Sequence, residues 1–202
     1  MNVAITGQNG FIGRYLVKAL TEKGFIVDNN AKHISRVYHL ACPATTERIN
    51  SDTLAVMDTI LDMTRRTIKM WPNARFINAS SIGASQIDDV DTSPQTAYNI
   101  AKRCMELYLI HSNIMFTNYR LPAVYGEGMH DDHFIKRCID HTAYKPEDTD
   151  KIYWIAHVED VVESMVALEP IKMEKITVGE IYELFNSGRR GLHRPTPNPS
   201  IV

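Results

Sequence analysis

The chain reads as an α/β protein built on a doubly wound parallel sheet, and three observations carry that reading. Short apolar runs alternate with amphipathic helical segments along most of its 202 residues. A glycine-rich turn, Gly7-Gln8-Asn9-Gly10-Phe11-Ile12-Gly13, leads from the first strand straight into the first helix. The residues with chemistry to offer, among them Gly7, Asp28, Ser80, Ser81 and Tyr125, all follow strands. In a parallel sheet that places them along one carboxyl edge, where ligands bind.

Residues 2–6 form a short, mostly apolar run, as a buried parallel strand would. A helix follows to about Lys23, with Phe11, Ile12, Tyr15, Leu16, Ala19 and Leu20 on its apolar face and Gly24 as its stop. The glycine turn between them suits a diphosphate, which approaches the bare backbone and sits at the positive end of the helix dipole. Phe25–Val27 is the second strand, and Asp28 after it is the one acidic candidate for a ribose. Val37–Ala41 is the third strand, reached after too few residues for a crossover helix and another strand.

A polar segment, residues 42–52, then leads to a helix over Thr53–Met70 with Leu54, Met57, Ile60, Leu61 and Ile68 inward. Residues 74–79 make the next strand and end in Ser80-Ser81. A turn-rich stretch over 87–94 introduces a helix to about Ile110. Ser93 caps it, Pro94 fits its first turn, and Ala97, Ala101, Cys104 and Tyr108 mark its apolar face. Met115–Leu121 is a further strand. Phe134, Ile135, Cys138 and Ile139 share one face of a short helix, Lys151–Ile155 makes a strand and Val158–Leu168 a helix. Thr177-Val178-Gly179-Glu180 is a capping box opening a last helix. The glycine, proline and polar residues after Asn186 predict an irregular tail.

Tyr98 and Lys102 are four residues apart on one helix, so both project from the same side. A cation there favours the tyrosinate and makes Tyr98 a proton-transfer group. With 9 Tyr in the chain, chance alone supplies roughly 0.4 such pairs, so the pair counts only through its company. His130-Asp131-Asp132-His133 lacks a third ligand group at metal spacing, so no metal is expected. Arg189, Arg190 and Arg194 are candidates to clamp a diphosphate, against a solvated tail.

The composition fits this frame. With 44% hydrophobic and 23% charged residues the chain suits one domain, or one domain with a small lobe. A formal net charge of −2 gives no reason to expect nucleic acid or a membrane surface as partner. Cys42, Cys104 and Cys138 lie far apart without a C-x-x-C pairing, which argues against a disulfide framework and for a reducing compartment. Gln8, Asn9 and Arg14 interrupt any leading apolar run, and no stretch approaches the roughly 18 apolar residues of a membrane span. The expected localisation is cytoplasmic.

These pieces resemble the extended short-chain dehydrogenase/reductase family, in its nucleotide-sugar epimerase and dehydratase branch. Thr6–Gly13 matches the branch's T-G-x-x-G-[FY]-I-G opening, and His39-Leu40-Ala41 its H-x-A strand end. Pro94, Tyr98 and Lys102 match P-x-x-x-Y-x-x-x-K. Arg120–Gly126 is similar to R-x-x-N-V-Y-G, with Ala123 in the asparagine position, and His157–Val161 is similar to H-V-D-D-V. The resemblance implies a Rossmann-like sheet over residues 1–128 and a reduced substrate lobe over 129–185. A strand and helix at about 151–168 would return to the main domain, and 186–202 would be a flexible tail.

It further implies NAD, with NADP as the second option. The residues it assigns to the cofactor are Gly7, Asn9, Gly10, Phe11, Ile12, Gly13, Asp28, Leu40, Ala41, Tyr98, Lys102, Pro122 and Val124. Tyr98 would be the base, Lys102 its partner, and Ser81 the group that orients the sugar hydroxyl, with Ser80 its rival. The implied substrate is a nucleotide-diphosphate sugar, and the implied assembly a homodimer through the Tyr98 helix. Ile82 and Gly83 follow Ser81 where dehydratases of the branch carry an acid, which leaves epimerisation or simple oxidoreduction. Ala31 occupies the usual place of the ribose-binding acid, and one strand–helix unit is missing before Val37. An NADPH-dependent reductase and a catalytically silent nucleotide- or partner-binding protein are therefore the alternatives to an NAD-dependent epimerase.

Overall fold

The computed structural model describes residues 1–42, 46–85 and 93–193. Its first sheet has five parallel strands: β1 (Asn2–Thr6), β2 (Ile26–Val27), β3 (Arg36–His39), β4 (Arg75–Ser81) and β5 (Phe116–Leu121). Their order across the sheet is β2-β1-β3-β4-β5, every pairing parallel. β3 pairs directly with β1, so the short β2 is left at the edge, as the missing strand–helix unit requires.

Strand alternation sends successive side chains to opposite faces. Val3, Ile5, Tyr38, Ile77 and Tyr119 meet helices α1 (Phe11–Glu22) and α6 (Val158–Ala167) on one face. Ala4, Val37 and Phe76 meet α3 (Thr53–Met70) and α4 (Pro94–Ile110) on the other. Two-sided burial explains why Val3–Ile5, Val37–Tyr38 and Phe76–Ile77 are consecutive apolar residues rather than alternating ones. At the β2 edge the Asn29 side chain completes the pairing. It accepts from Ile5 N–H at 2.8 Å and donates to the Ile5 carbonyl at 3.1 Å, so a two-residue strand suffices.

A second sheet of three strands, β6 (Ala123–Tyr125), β7 (Ile152–His157) and β8 (Glu174–Thr177), lies in the order β6-β7-β8. With α5 (Phe134–Ile139) and α7 (Val178–Asn186) it encloses Tyr125, Ile135, Cys138, Ile155, Ile181 and Phe185. Thr177 and Glu180 form the full capping box that opens α7.

Four expectations need correction. Leu54 is 74% exposed, and Val56 takes its place inward. Of the expected face of α4, Ala101 is buried, while Ala97 and Cys104 are half-buried and Tyr108 is exposed. The buried face runs through Ala101, Met105 and Leu109 and takes in Lys102 and Glu106 as well, because polar groups here are buried in partnered form, which apolar periodicity does not register. A helix unforeseen in the sequence, α2 (Thr46–Ser51), fills the polar stretch before α3 and buries little beyond Ile49. β6, β8 and the 3-10 turn over Ile82–Ser85 are unforeseen as well. Most of the stretch over 87–94 lies outside the described residues, as does Arg194.

Candidate active site

The glycine turn is held by its own backbone: Gly10 N–H donates to the Gly7 carbonyl at 3.0 Å. Gly7 has φ +78, and a Cβ there would stand 2.9 Å from Ala41 N; a Cβ at Gly13 would stand 2.1 Å from the Gly7 oxygen. Only glycine fits either place. Gly10 caps α1 without a side-chain bond, and the first turn of α1 carries no acid. The leading N–H groups of α1 are thus left for an anion.

Beneath this turn lies a polarised chain of hydrogen bonds. Thr64 Oγ1 commits its proton to the Ile60 carbonyl at 2.9 Å, so His39 Nε2 must donate to Thr64 Oγ1 at 3.0 Å. His39 Nδ1 then accepts from Thr6 Oγ1 at 2.8 Å, and Thr6 Oγ1 accepts from Ala41 N–H at 3.3 Å. Burial, with the Lys102 charge behind it, pushes the His39 pKa down to about 3 and keeps the ring neutral. The histidine of the H-x-A strand end therefore braces the turn from below.

Ser93 Oγ caps α4 by accepting from Thr96 N–H at 3.3 Å. From this helix Lys102 is buried and donates to the Ala79 carbonyl at 3.0 Å, with its nitrogen 5.7 Å from the centre of the Tyr98 ring. Burial raises the Tyr98 pKa, Lys102 opposes it and Cys42 adds to it, leaving the phenol above its ordinary value. For Lys102 burial acts to lower the pKa, but Tyr98 and Cys42 outweigh it and keep the ammonium charged.

The two serines part company here. Ser80 is buried and donates to Glu106 Oε1 at 2.6 Å. Ser81 accepts from Gly83 N–H at 3.2 Å, in the 3-10 turn Ile82–Ser85.

A cleft of about 470 Å³ joins these pieces at the carboxyl edge of the sheet. Its walls include Gly7, Gly10, Phe11, Ile12, Gly13 and Leu40 on one side, and Ser80, Ser81, Tyr98, Lys102, Pro122 and Val124 on the other. Asn9 does not line it but faces a separate groove across the glycine turn. Ala41 is represented by its N–H bond to Thr6. Asp28 also stands outside the cleft, exposed, its carboxylate accepting from Asn30 N–H at 2.9 Å. Tyr125 is buried against His157 and Phe185.

Arg190 is tied to Glu174 at 2.7 Å and stacked over Phe185, while Arg189 is exposed. Cys42, Arg48 and His130 line the cleft without having been singled out for it. Cys42 directly follows His39-Leu40-Ala41, a signal that was in view; Arg48 sits on the unforeseen α2. Among the described residues no three His, Cys, Asp or Glu side chains converge as a metal site, and no helix is long and apolar enough to cross a membrane.

No curated protein matches the chain in sequence. Among solved structures, UDP-glucose 4-epimerase from Thermotoga maritima with UDP-glucose aligns at a TM-score of 0.69 and 19% identity, covering 99% of this chain and 87% of that one. UDP-glucuronic acid 4-epimerase from Bacillus cereus, with UDP-glucuronic acid and NAD, aligns at 0.75 and 18%, covering 95% and 84%. The NAD-dependent NDP-hexosamine 5,6-dehydratase TunA of tunicamycin biosynthesis aligns at 0.74 and 20%, covering 93% and 81%. At these identities the likeness establishes the shared fold. The family model for NAD-dependent epimerases and dehydratases matches residues 27–184, and the chain belongs to that family.

Proposed function

We propose that this protein is an NAD-dependent epimerase that works by oxidoreduction at a hydroxyl of a nucleotide-diphosphate sugar. One observation carries the reading: the glycine turn, Ser81, Tyr98 and Lys102 line a single cleft at the carboxyl edge of the parallel sheet. The cradle over Gly7, Gly10 and Gly13 fits a dinucleotide diphosphate, because the backbone is bare and the end of α1 is uncapped by any side chain. When bound, NAD supplies the hydride acceptor and donor. The Tyr98 oxygen takes the proton of the sugar hydroxyl, and the Lys102 ammonium beside it favours the ionised phenol. Ser81 orients the hydroxyl and then the carbonyl. Inversion follows when the oxidised sugar turns its other face before reduction.

Dehydration calls for a further acid or base beside the reacting carbons. Among the described residues that line the cleft there is no carboxylate, and Ile82, Gly83 and Ala84 follow Ser81. This favours epimerisation within a family that does both. The NADPH-dependent reductase stays as the second reading, because Asp28, the acid available to a ribose, stands outside the cleft with its carboxylate engaged by Asn30. The assembly we propose is a homodimer through α4. Leu107 and Tyr108 are 40% and 42% exposed and, with Leu61, Cys104 and His111, line an apolar groove on its outer face.

Isothermal titration with NAD+ and NADPH, followed by incubation with a panel of nucleotide-diphosphate sugars, tests the reading. Submillimolar NAD+ binding and interconversion without net cofactor consumption are expected. Stoichiometric consumption of NADPH selects the reductase, and absence of binding overturns both. Sedimentation of the wild type beside Leu107→Glu tests the dimer.

A further inference from the structure

Glu106 lies one turn beyond Lys102 on α4, so Tyr98, Lys102 and Glu106 follow one another at four-residue intervals on a single side of the helix. It is 1% exposed. Its Oε1 accepts from Ser80 Oγ at 2.6 Å and Arg120 Nε at 2.9 Å; its Oε2 accepts from Arg120 Nη2 at 2.7 Å and Arg103 Nη1 at 2.9 Å. Burial acts to raise its pKa, but the bonds from Arg120, Ser80 and Arg103 outweigh it and hold the carboxyl at about 2. A carboxylate is the side chain able to accept this many donors, two of them from one guanidinium fork.

What the four bonds connect matters more than their number. Ser80 and Arg120 are register partners on β4 and β5, at the strand ends that border the cleft. Ser80 also adjoins Ala79, whose carbonyl holds the Lys102 ammonium at 3.0 Å. Consecutive residues of β4 are thus gripped by consecutive turns of α4, one through Lys102 and one through Glu106. Buried ion pairs seldom stabilise a fold beyond what apolar packing would achieve, so stability alone is a poor account of this one.

We infer that Glu106 is a positioning residue: by anchoring Ser80 and Arg120 it fixes the Ala79 carbonyl and, through it, the Lys102 ammonium beside Tyr98. The inference rests on reading Tyr98 and Lys102 as the reacting pair. An amide at position 106 cannot accept from both Arg120 nitrogens, Arg103 and Ser80 together. The Ala79–Ser80 peptide then loses its second anchor, Lys102 its fixed acceptor, and Tyr98 part of the cation that favours its ionisation. Among the described residues His39 of β3 and Cys42 beyond it also act on this pair, Arg48 of α2 and His130 line the same cleft, and none of the four is altered.

The test needs no substrate. Tyrosinate absorbance is titrated with pH in the full chain, with NAD+ present and absent, and Tyr98 is isolated by subtracting Tyr98→Phe in each background. In Glu106→Gln the Tyr98 midpoint is expected to rise by about one pH unit, a tenfold loss of tyrosinate at fixed pH. Ser80→Ala, which leaves both arginine pairs intact, is expected to move it the same way by less. Glu106→Asp is expected to recover part of the shift. Where turnover is measured, the rising limb of kcat against pH moves with the midpoint while KM holds.

An unmoved Tyr98 midpoint in a folded Glu106→Gln protein overturns the inference. If that variant fails to fold, an unmoved midpoint in Ser80→Ala does the same. A shifted midpoint in a protein that neither binds NAD+ nor turns over any nucleotide sugar overturns the functional reading instead and leaves the positional one standing.

Discussion

The Lys102 ammonium is bonded to the Ala79 carbonyl at 3.0 Å while its nitrogen stands 5.7 Å from the centre of the Tyr98 ring. A main-chain carbonyl at a strand end holds the cation without discharging it, so the cation keeps its effect on the phenol. Replacing Lys102 with Met keeps the length of the side chain and removes the charge. The turnover rate is expected to fall by about 10²- to 10⁴-fold, the usual weight of a proton-transfer group. Urea unfolding is expected to shift by less than about 2 kcal/mol, since removing a buried charge offsets the lost bond. A rate that survives this substitution removes Lys102 from the reaction.

Gly13 and Gly24 separate backbone freedom from close approach. Gly24 has φ +79 and open space around it, whereas a Cβ at Gly13 would meet the Gly7 oxygen at 2.1 Å. Gly24→Ala is expected to cost roughly 1–2 kcal/mol for the left-handed conformation and to leave NAD+ affinity unchanged. Gly13→Ala must push the turn aside, at a cost of about 1–3 kcal/mol or more, and abolishes NAD+ binding. Calorimetry on both variants reads the contrast directly.

Much of the frame was legible in residue spacing. Apolar runs and caps place β1, α3, α4 and α7 within a residue or two of where they lie, because two-sided burial and capping are local rules. The glycine turn was legible because its glycines are demanded by contacts that tolerate no Cβ. The network behind the site was not. Spacing pointed to Lys102 only as the partner of Tyr98 and did not single out Glu106, yet both are buried, because their partners Ala79, Ser80 and Arg120 come from other elements. Asp28 shows the converse. It follows a strand as a ribose ligand should, yet it stands outside the cleft, and one of its carboxylate oxygens accepts from Asn30 N–H in the turn it begins. Spacing along the chain carries periodicity; it does not carry the partner a polar group finds across the sheet.

On sequence Ser81 was preferred and Ser80 was its rival, and their hydrogen bonds differ in a way that supports that order. Ser80 gives its proton to Glu106, while Ser81 accepts from Gly83 N–H and has a hydroxyl proton to give. Ser81→Ala is expected to lower kcat by about 10²-fold, the loss typical of one oriented polar group at a reacting oxygen, with NAD+ affinity unchanged. Steady-state kinetics beside titration of the cofactor checks both halves. Full turnover in Ser81→Ala would return the role to another group in the cleft.

Acid should unfold this protein through histidines that stay neutral in the fold. Burial holds His39 at about 3, with Lys102 adding to the effect. It also holds His133 at about 4, the nearby Asp132 opposing it only in part. Both lie below the unfolded value of about 6.5, so the unfolded chain takes up protons first as pH falls. The stability in question is fully present above about pH 6.5 and drains away toward the folded values, by up to about 1.4 kcal/mol per pH unit for each histidine. Glu106, held at about 2, extends the loss with the same sign below its unfolded value of about 4.5. His133 caps α5 by accepting from Ile135 N–H, a role asparagine fills without binding a proton. Urea unfolding at about pH 7, 6 and 5 should therefore show a steep fall in the wild type and roughly half that slope in His133→Asn. A wild-type curve that stays flat across that interval would mean that neither ring is held neutral by the fold.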